Sequence, residues 1–551
     1  MGRIVEAYIS GLPTARVGHT NTFGSCITNG ADYYKLCTQC GFGWAQEYSE
    51  AIKGSAQKAV FELWRSFCPK DFPNYGWIGY DHRPAAVTYE PWWLALHGSR
   101  GVTYFATNAC SPERNKSWAL VYPTQAFTQY SLDVKETLTD LRQGVGKLLM
   151  EYPREDPEIA LLWSHPSMFT AWCESDWKEP IPREQAVDDA YGSYFKSAFY
   201  FRLALSELQL TCDYVAPPQI ATGELDRFRV LMLPFTMAIS DETADAIIQW
   251  VEAGGTLIAD MRLARTDDHG KWRDNALLER LMGVARTTTD ATYEMAEMTV
   301  YEGLQFDVAG REAIEVIGDA HAVGQHADGT PAVVIRDVGR GRTVYLNCLL
   351  PKYDPGAVEM IGALLEEAGI ARDITVTAAD PEVPARAWEC NLFSRSGVRV
   401  VGLIRAHRLA DEAQTCTVDF GREANVFDLR ARQALGRTQT IEATCAPGEA
   451  KVYALLPYAV TGVNVALGAD ASFEVELTGD ADVADHVLHL TWSDPGGNVP
   501  RHYESVVAAP GGRYTGHVPL AANDESGAWT LTVRDVLTNV TAQAEMAWEG
   551  R

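Results

Sequence analysis

Carboxylate side chains follow two strand-like segments near the start of this 551-residue sequence. Asp81 lies in the segment 76–83 (GWIGYDHR), after a run of strand-forming residues, and Glu47 lies in the segment 44–48 (WAQEY). A carboxylate at a strand end can act as a nucleophile or stabilise positive charge that develops in a transition state. Asp81 also has a local interpretation, because an Asp at a strand end commonly caps the following loop. Glu47 has one too, as a solvated loop residue.

Aromatic and polar side chains near the same strand ends suit a sugar ligand. Glu47 follows Trp44 closely, and the apolar face of a sugar stacks on an aromatic ring while its hydroxyls need directional partners. Asn21, His82 and Trp118 also lie near strand ends or on the loops that follow them. We therefore take these five residues as candidate substrate-binding residues, each with a purely structural role as its alternative.

Two other patterns bear on metal binding and on nucleophilic catalysis. The C-x-x-C motif at 37–40 offers one pair of ligands where structural zinc uses about four, so we predict no metal there. Asp260 and the turn 267–270 (DDHG) could suggest a cation site, but an acidic turn is the commoner explanation. The strand end 233–237 (LPFTM) has no cysteine, which argues against a glutamine amidotransferase with its nucleophile on such a turn.

The elements that position these residues alternate between strands and helices, as in a parallel (β/α) barrel. Strands are predicted from about residue 15 to 22 and over 42–48, 75–80 and 101–106, and the last is followed by a long helix over 132–150. A complete barrel has about eight strands in about 250 residues. Residues 1–150 are therefore expected to form a partial TIM barrel.

Three further domains are predicted. Residues 151–370 alternate strands and helices, including a helix capped by Ser240, which predicts a flavodoxin-like or amidotransferase-like α/β sandwich. Residues 371–458 lose helical periodicity and predict a small antiparallel β domain. Residues 461–551 alternate apolar and polar residues in short runs, which favours an immunoglobulin-like β-sandwich. The fold class is multidomain, α/β plus all-β.

The formal net charge of −26, from 47 Lys+Arg and 73 Asp+Glu, argues against nucleic acid and anionic membranes as partners. The sequence has no run of about 18 apolar residues and no signal peptide at Met1, although a segment upstream of Met1 would hide one. Its 11 cysteines are scattered and odd in number, which favours reduced thiols in the cytoplasm.

Three stretches, in this order, resemble the beta-galactosidases of glycoside hydrolase family 42. Residues 90–98 (EPWWLALHG) with 101–105 (GVTYF) resemble the last helix and strand of that family's barrel. Residues 191–260, including 250–257 (WVEAGGTL), resemble its trimerisation domain. Residues 425–429 (NVFDL) and 446–455 (APGEAKVYAL) resemble its small C-terminal β domain. The last predicted domain falls outside the resemblance.

The resemblance implies a retaining hydrolase of β-galactosides or related neutral glycosides, without a cofactor and assembled as a homotrimer. It makes the four strands predicted in residues 1–150 the fifth to eighth of the barrel. It also places Asp81 at or beside the position of the family's nucleophilic Glu. Retaining hydrolysis needs a second carboxyl group about 5 to 5.5 Å away. The resemblance places this acid/base after the fourth strand, so we expect it upstream of Met1. The alternative is a non-catalytic carbohydrate-binding or oligomer-forming subunit that completes its barrel with a second polypeptide.

Overall fold

The structure is a computed structural model with full side chains. It describes residues 18–21, 32–39, 42–46, 56–69, 74–79, 83–104, 107, 119–174, 192–273, 277–300, 303–350, 354–406, 412–468 and 472–549. These residues divide into two compact units. The first unit comprises Met1–Tyr75 and Asp156–Arg372, and the second comprises Gly76–Glu155 and Asp373–Arg551.

The helices of the described residues, in chain order, are α1 (Tyr33–Gln39), α2 (Ala56–Phe67), α3 (Pro84–Leu96), α4 (Gln129–Asp140), α5 (Gly146–Glu151), α6 (His165–Glu174), α7 (Gly192–Glu207), α8 (Pro217–Ala221), α9 (Asp241–Glu252), α10 (Leu277–Met282) and α11 (Pro355–Glu367). One turn of π-helix, Leu141–Val145, joins α4 to α5.

The strands are β1 (Gly18–Asn21), β2 (Phe42–Gln46), β3 (Asn74–Ile78), β4 (Val102–Tyr104), β5 (Ile159–Leu162), β6 (Asp213–Val215), β7 (Val230–Leu233), β8 (Thr256–Ala259), β9 (Val284–Val300), β10 (Gln305–Val316), β11 (His321–His326), β12 (Pro331–Val338), β13 (Gly341–Leu346), β14 (Thr375–Ala378), β15 (Trp388–Arg395), β16 (Val398–Arg405), β17 (Gln414–Asp428), β18 (Gln433–Cys445), β19 (Ala450–Leu456), β20 (Val460–Leu467), β21 (Ser472–Gly479), β22 (His486–Ser493), β23 (Glu504–Ala509), β24 (Arg513–His517), β25 (Gly527–Asp535) and β26 (Thr541–Trp548).

A nine-stranded sheet in the order β10-β9-β11-β12-β13-β8-β7-β5-β6 forms the centre of the first unit. Strands β13, β8, β7, β5 and β6 are parallel, and the remaining pairs are antiparallel. β5, β7 and β8 are buried along their whole length, as expected for parallel strands covered on both faces. β6 lies on one side of β5 while β7 and β8 lie on the other, so the strand order reverses at β5.

Each face of this sheet packs on its own hydrophobic core. One core includes Trp163, Met232 and Ile258 with residues of α2, α7 and α11. The other includes Leu162, Leu231 and Leu257 with residues of α8, α9 and α10. Consecutive residues of one strand therefore enter opposite cores, as the alternation of side chains along a strand requires. The result is a sheet with helices on both faces.

Helix α9 begins where the sequence predicts it. Ser240 has extended backbone angles, and its side-chain oxygen accepts a hydrogen bond from the backbone N–H of Thr243 at 3.2 Å. Asp241 and Glu252 bound the helix, and Gly254 beyond it has a φ of 126° that disfavours any other residue. The N-terminal cap and the glycine stop were both readable from the sequence.

The second unit contains β4 and the part of β3 from Gly76 onward. β3 and β4 are parallel, with Gly76 opposite Val102 and Ile78 opposite Tyr104. A Cβ at Gly76 would lie 2.0 Å from a side-chain carbon of Leu94, so α3 packs directly on β3. All four strands predicted in this region of the sequence are present, at β1 to β4.

Two antiparallel β regions follow in the second unit. Residues 375–456 form a six-stranded sheet in which β14-β17-β19-β16-β15 are in order and β18 pairs with β17. Residues 460–548 form two sheets, β20-β21-β24 and β23-β22-β25-β26, which enclose one core around Leu488, Trp492 and Trp529. The combination of α/β and antiparallel β architecture agrees with the predicted fold class at this level.

The predicted helix over 132–150 is interrupted. Gly144, between α4 and α5, has a φ of 136°, and a Cβ at this position would lie 2.3 Å from a methyl carbon of Val536. The prediction of one continuous helix was wrong because the chain approaches the last β region too closely there for any side chain.

In the part of the chain that the structure describes, no helix is long and apolar enough to cross a membrane. The cysteines in that part, from Cys37 to Cys445, are free thiols.

Candidate functional site

The structure places two of the six predicted site residues on neighbouring strands. Asn21 is the last residue of β1 and lies opposite Ala45 in β2, while Trp44 lies opposite Thr20. The backbones of Asn21 and Trp44 are therefore adjacent at the carboxyl end of a parallel pair. Asp81, Glu47, His82 and Trp118 lie outside the described residues, so their predicted roles stay predictions. β3 ends at Ile78, before Asp81.

A pocket of about 870 Å³ opens in the first unit, at the carboxyl ends of its parallel strands. It is lined by residues that follow each of β5, β6, β7 and β8, among them His165, Pro217, Ser240 and Trp272. In open α/β sheets, ligands bind outside the carboxyl ends of the strands, where the strand order reverses. The reversal at β5 gives this pocket that location.

A buried ion-pair network supports one wall of the pocket. Glu312 is 1% exposed; its Oε1 accepts from Nε of Arg286 at 2.8 Å, and its Oε2 accepts from the Tyr345 hydroxyl at 2.7 Å. Oε2 also accepts from the backbone N–H of Arg262 at 2.8 Å, and the Arg262 guanidinium pairs with Glu174 at 3.0 Å. Glu174 lines the pocket, so Arg262 connects the pocket wall to the core.

Opposing effects set the pKa of Glu312. Burial acts to raise it, but the charge of Arg286 and the hydrogen bonds from Arg286, Arg262 and Tyr345 outweigh burial and lower the pKa below its usual range. Glu312 is therefore ionised at neutral pH. Arg286 also pairs with Glu279, which completes a network of alternating charges.

The turn after β7 is strained, and a buried carboxyl braces it. Phe235 has a φ of 35°, a conformation that a bulky residue rarely adopts, and it is 3% exposed. Its backbone N–H donates to Oδ1 of Asp260 at 2.5 Å, and Ser197 donates to the other carboxyl oxygen. This is the strand-to-helix position at which an amidotransferase nucleophile would lie. A buried Phe there supports no nucleophilic catalysis.

Asp260 should oppose folding at neutral pH. Burial raises its pKa well above the usual range, and the hydrogen bonds from Ser197 and Phe235 offset this only in part. A raised folded-state pKa means that stability falls as pH rises from the ordinary Asp value through the raised value. We therefore expect Asp260→Asn to increase the unfolding temperature relative to the unmodified chain, and to do so more at pH 8 than at pH 5.

Thermal unfolding at both pH values checks this expectation, with the exposed Asp290→Asn as the matched control. A variant that is less stable than the unmodified chain at pH 8, while Asp290→Asn is neutral, would show that the Asp260 carboxylate is needed in its charged form.

The acidic turn predicted as a common loop feature is organised by its own side chain. Oδ1 of Asp267 accepts hydrogen bonds from the backbone N–H groups of His269 and Lys271, each at 2.9 Å. These bonds, with that from Lys271 first, lower the pKa of Asp267. The carboxylate thus has a structural function in the turn that carries Trp272 to the pocket. Asp260 has the bracing function described above.

Sequence reasoning missed the pocket. His165, Phe169 and Glu174 follow the first strand of the α/β region, and Trp272 follows the turn after the fourth. The sequence indicated only that these residues come soon after predicted strands. This indication could not reveal the pocket, because the order of the strands in the sheet is what brings these segments together.

Residues 158–371 match the sequence profile of a family described as the beta-galactosidase trimerisation domain. This match covers the nine-stranded sheet and every residue that lines the pocket except Asp32, Tyr34 and Lys35. It confirms the resemblance that residues 191–260 carry.

Solved structures share the fold over most of the chain. A beta-galactosidase from Bacillus circulans sp. alkalophilus aligns over 82% of this chain and 66% of its own, with a TM-score of 0.65 and 14% identity. A beta-galactosidase from Rahnella sp. R3 aligns over 82% and 65%, with a TM-score of 0.61 and 14% identity. An exo-carrageenase of family GH42 from Bacteroides ovatus aligns over 82% and 55%, with a TM-score of 0.50 and 10% identity. This chain spans at most 66% of the length of these structures.

Proposed function

We propose that this chain, which contains a domain of the beta-galactosidase trimerisation type and has the fold of family 42 glycoside hydrolases, acts on β-galactosides or related neutral glycosides. The observation that carries the proposal is the match of residues 158–371 to the trimerisation domain. Its acidic charge is compatible with a neutral substrate, which needs no electrostatic steering.

In this proposal, residues 1–150 belong to the catalytic barrel and Asp81 provides the nucleophilic carboxylate. The Asp81 side chain attacks the anomeric carbon while the leaving group takes a proton from a second carboxyl group, which the family resemblance does not place within residues 1–150, and water then hydrolyses the glycosyl ester. In the same proposal, Asn21, Trp44, Glu47, His82 and Trp118 are substrate-binding residues. Retention of anomeric configuration follows from the two displacements.

We further propose that the chain assembles as a homotrimer through residues 158–371 and functions in the cytoplasm with reduced thiols. The free cysteines of the described residues are consistent with a reducing compartment. Carbohydrate is the expected substrate, and no cofactor enters the proposed reaction.

A non-catalytic subunit is the second candidate. The observation that favours it is Asp81, because the family's nucleophile is Glu and an Asp carboxylate reaches less far into the cleft. Such a subunit would bind carbohydrate or form the oligomer, and would complete its barrel with another polypeptide.

Turnover of an aryl β-galactoside by the purified chain separates the two candidates. The first predicts release of the aryl alcohol with retention at the anomeric carbon, followed by NMR of the product. Absence of turnover in a folded oligomer that still binds galactose would reject the enzyme in favour of the non-catalytic subunit.

A further inference from the structure

We propose that the pocket at the carboxyl ends of β5 to β8 binds a neutral saccharide. This goes beyond the proposed glycosidase activity, because binding in this pocket requires neither Asp81 nor a second catalytic carboxyl group. Pockets of about 300 to 1,000 Å³ accommodate small ligands, and the volume of about 870 Å³ would hold a mono- or disaccharide.

Exposed aromatic rings at the pocket are the first observation that supports saccharide binding. Trp272 is 50% exposed and Phe169 is 38% exposed, although both are large apolar side chains. Trp272 is nevertheless fixed in position: its backbone bridges to Thr266, and the guanidinium of Arg265 lies 5.3 Å from the centre of its ring. A fixed ring that stays open to solvent suits stacking against the apolar face of a sugar.

The charged side chains around the pocket are the second observation that supports saccharide binding. Three carboxylates line the pocket: Glu174 is paired with Arg262 at 3.0 Å, Asp32 is paired with Lys35 at 3.3 Å, and Asp268 lies 3.1 Å from Nδ1 of His269. Because each of these carboxylates already has a basic side chain beside it, a charged ligand would have to displace one of these contacts. The carboxylate oxygens of Glu174 and Asp32 can still accept hydrogen bonds from hydroxyl groups. This pattern selects an uncharged ligand that is rich in hydroxyls.

A buried polar atom at the pocket is the third observation that supports saccharide binding. Nε2 of His165 is buried at the pocket wall and has no hydrogen-bond partner among the described residues. The ring lies against Trp163 and Phe169, with ring centroids 6.1 and 5.7 Å away. Burial lowers the pKa of His165, so the ring is neutral near pH 7 and can exchange a hydrogen bond with a sugar hydroxyl. A buried polar atom without a partner calls for one.

Isothermal titration of the full chain tests the proposal, with methyl β-galactoside and lactose as probes. The chain carries Asp81→Asn in every sample, so that no probe is consumed. We expect saturable binding that Trp272→Ala weakens about tenfold or more. Phe127→Ala is the control, because Phe127 is 68% exposed and does not line the pocket.

Two results would overturn the proposal: no binding of either saccharide, or binding that Trp272→Ala leaves unchanged. A change in the sedimentation of Trp272→Ala without any saccharide binding would show instead that a second copy of the chain covers the exposed rings. Absence of turnover by the unmodified chain, together with Trp272-dependent binding in the Asp81→Asn chain, would refute the proposed enzyme and leave this inference intact.

Discussion

Asp81→Asn is expected to reduce kcat toward an aryl β-galactoside by about three to four orders of magnitude, the scale on which loss of one member of a catalytic constellation acts. The amide has nearly the shape of the carboxylate but cannot form the glycosyl ester, because its nitrogen lone pair is delocalised and it carries no negative charge. KM should change little, since ground-state contacts to the sugar are retained.

Two further variants make this expectation specific. Asp81→Glu should keep measurable activity, because a carboxylate remains and resembles the family's usual residue. Asp226→Asn, at an exposed position of the first unit, should match the unmodified chain. Equal rates for Asp81→Asn and the unmodified chain would show that another group performs the displacement.

Glu312→Ala is expected to lower the free energy of unfolding by about 3 to 5 kcal/mol. The substitution removes the shared partner of the buried Arg286 and Arg262 and leaves the Tyr345 hydroxyl without its acceptor. Because the pKa of Glu312 is lowered, its stabilising effect is present above the unfolded-state pKa and is lost as pH falls through the folded-state value. The difference in the free energy of unfolding between the unmodified chain and Glu312→Ala should therefore become smaller at acidic pH.

Urea denaturation at equal protein concentration measures this effect, and Glu315→Ala provides the control. Glu315 lies on the same strand, β10, with its side chain on the opposite face and exposed. We expect the urea midpoint of Glu315→Ala to stay close to that of the unmodified chain. If the urea midpoint of Glu312→Ala stayed equally close, the stabilising role assigned to the network would be contradicted.

Local signals in the sequence located several of the elements that the structure contains. The strands β1 to β4 follow from runs of strand-forming residues, and α9 follows from the Ser240 cap and the glycines after it. These features depend on neighbours in the chain, so local physics determines them.

Features that depend on distant residues were not predictable. The break at Gly144 exists because Val536 lies against it, and the bracing role of Asp260 depends on Ser197 and Phe235. Strand β9 was missed as well, because its middle part is exposed on both faces and lacks the alternation that marks a half-buried strand.

The candidate site also combines features that the sequence could indicate with features that it could not. Asn21 and Trp44 were chosen for their place near strand ends, and the structure pairs their strands in parallel. The pocket needed knowledge of the strand order, because Trp272 and His165 are more than a hundred residues apart in sequence. Strand ends can be read from a sequence, whereas their arrangement around a pocket depends on the topology of the sheet.

Covalent trapping tests the central claim most directly. Incubation with 2-deoxy-2-fluoro-β-galactosyl fluoride lets a nucleophilic carboxylate displace fluoride, and the electron-withdrawing 2-fluoro group slows hydrolysis of the resulting ester. Peptide mapping by mass spectrometry is predicted to find the fluorogalactosyl group on Asp81, and to find none in the Asp81→Asn variant. A label on a different carboxylate, or an unlabelled chain that shows no turnover, would contradict the assignment of Asp81 as the nucleophile of a retaining glycosidase.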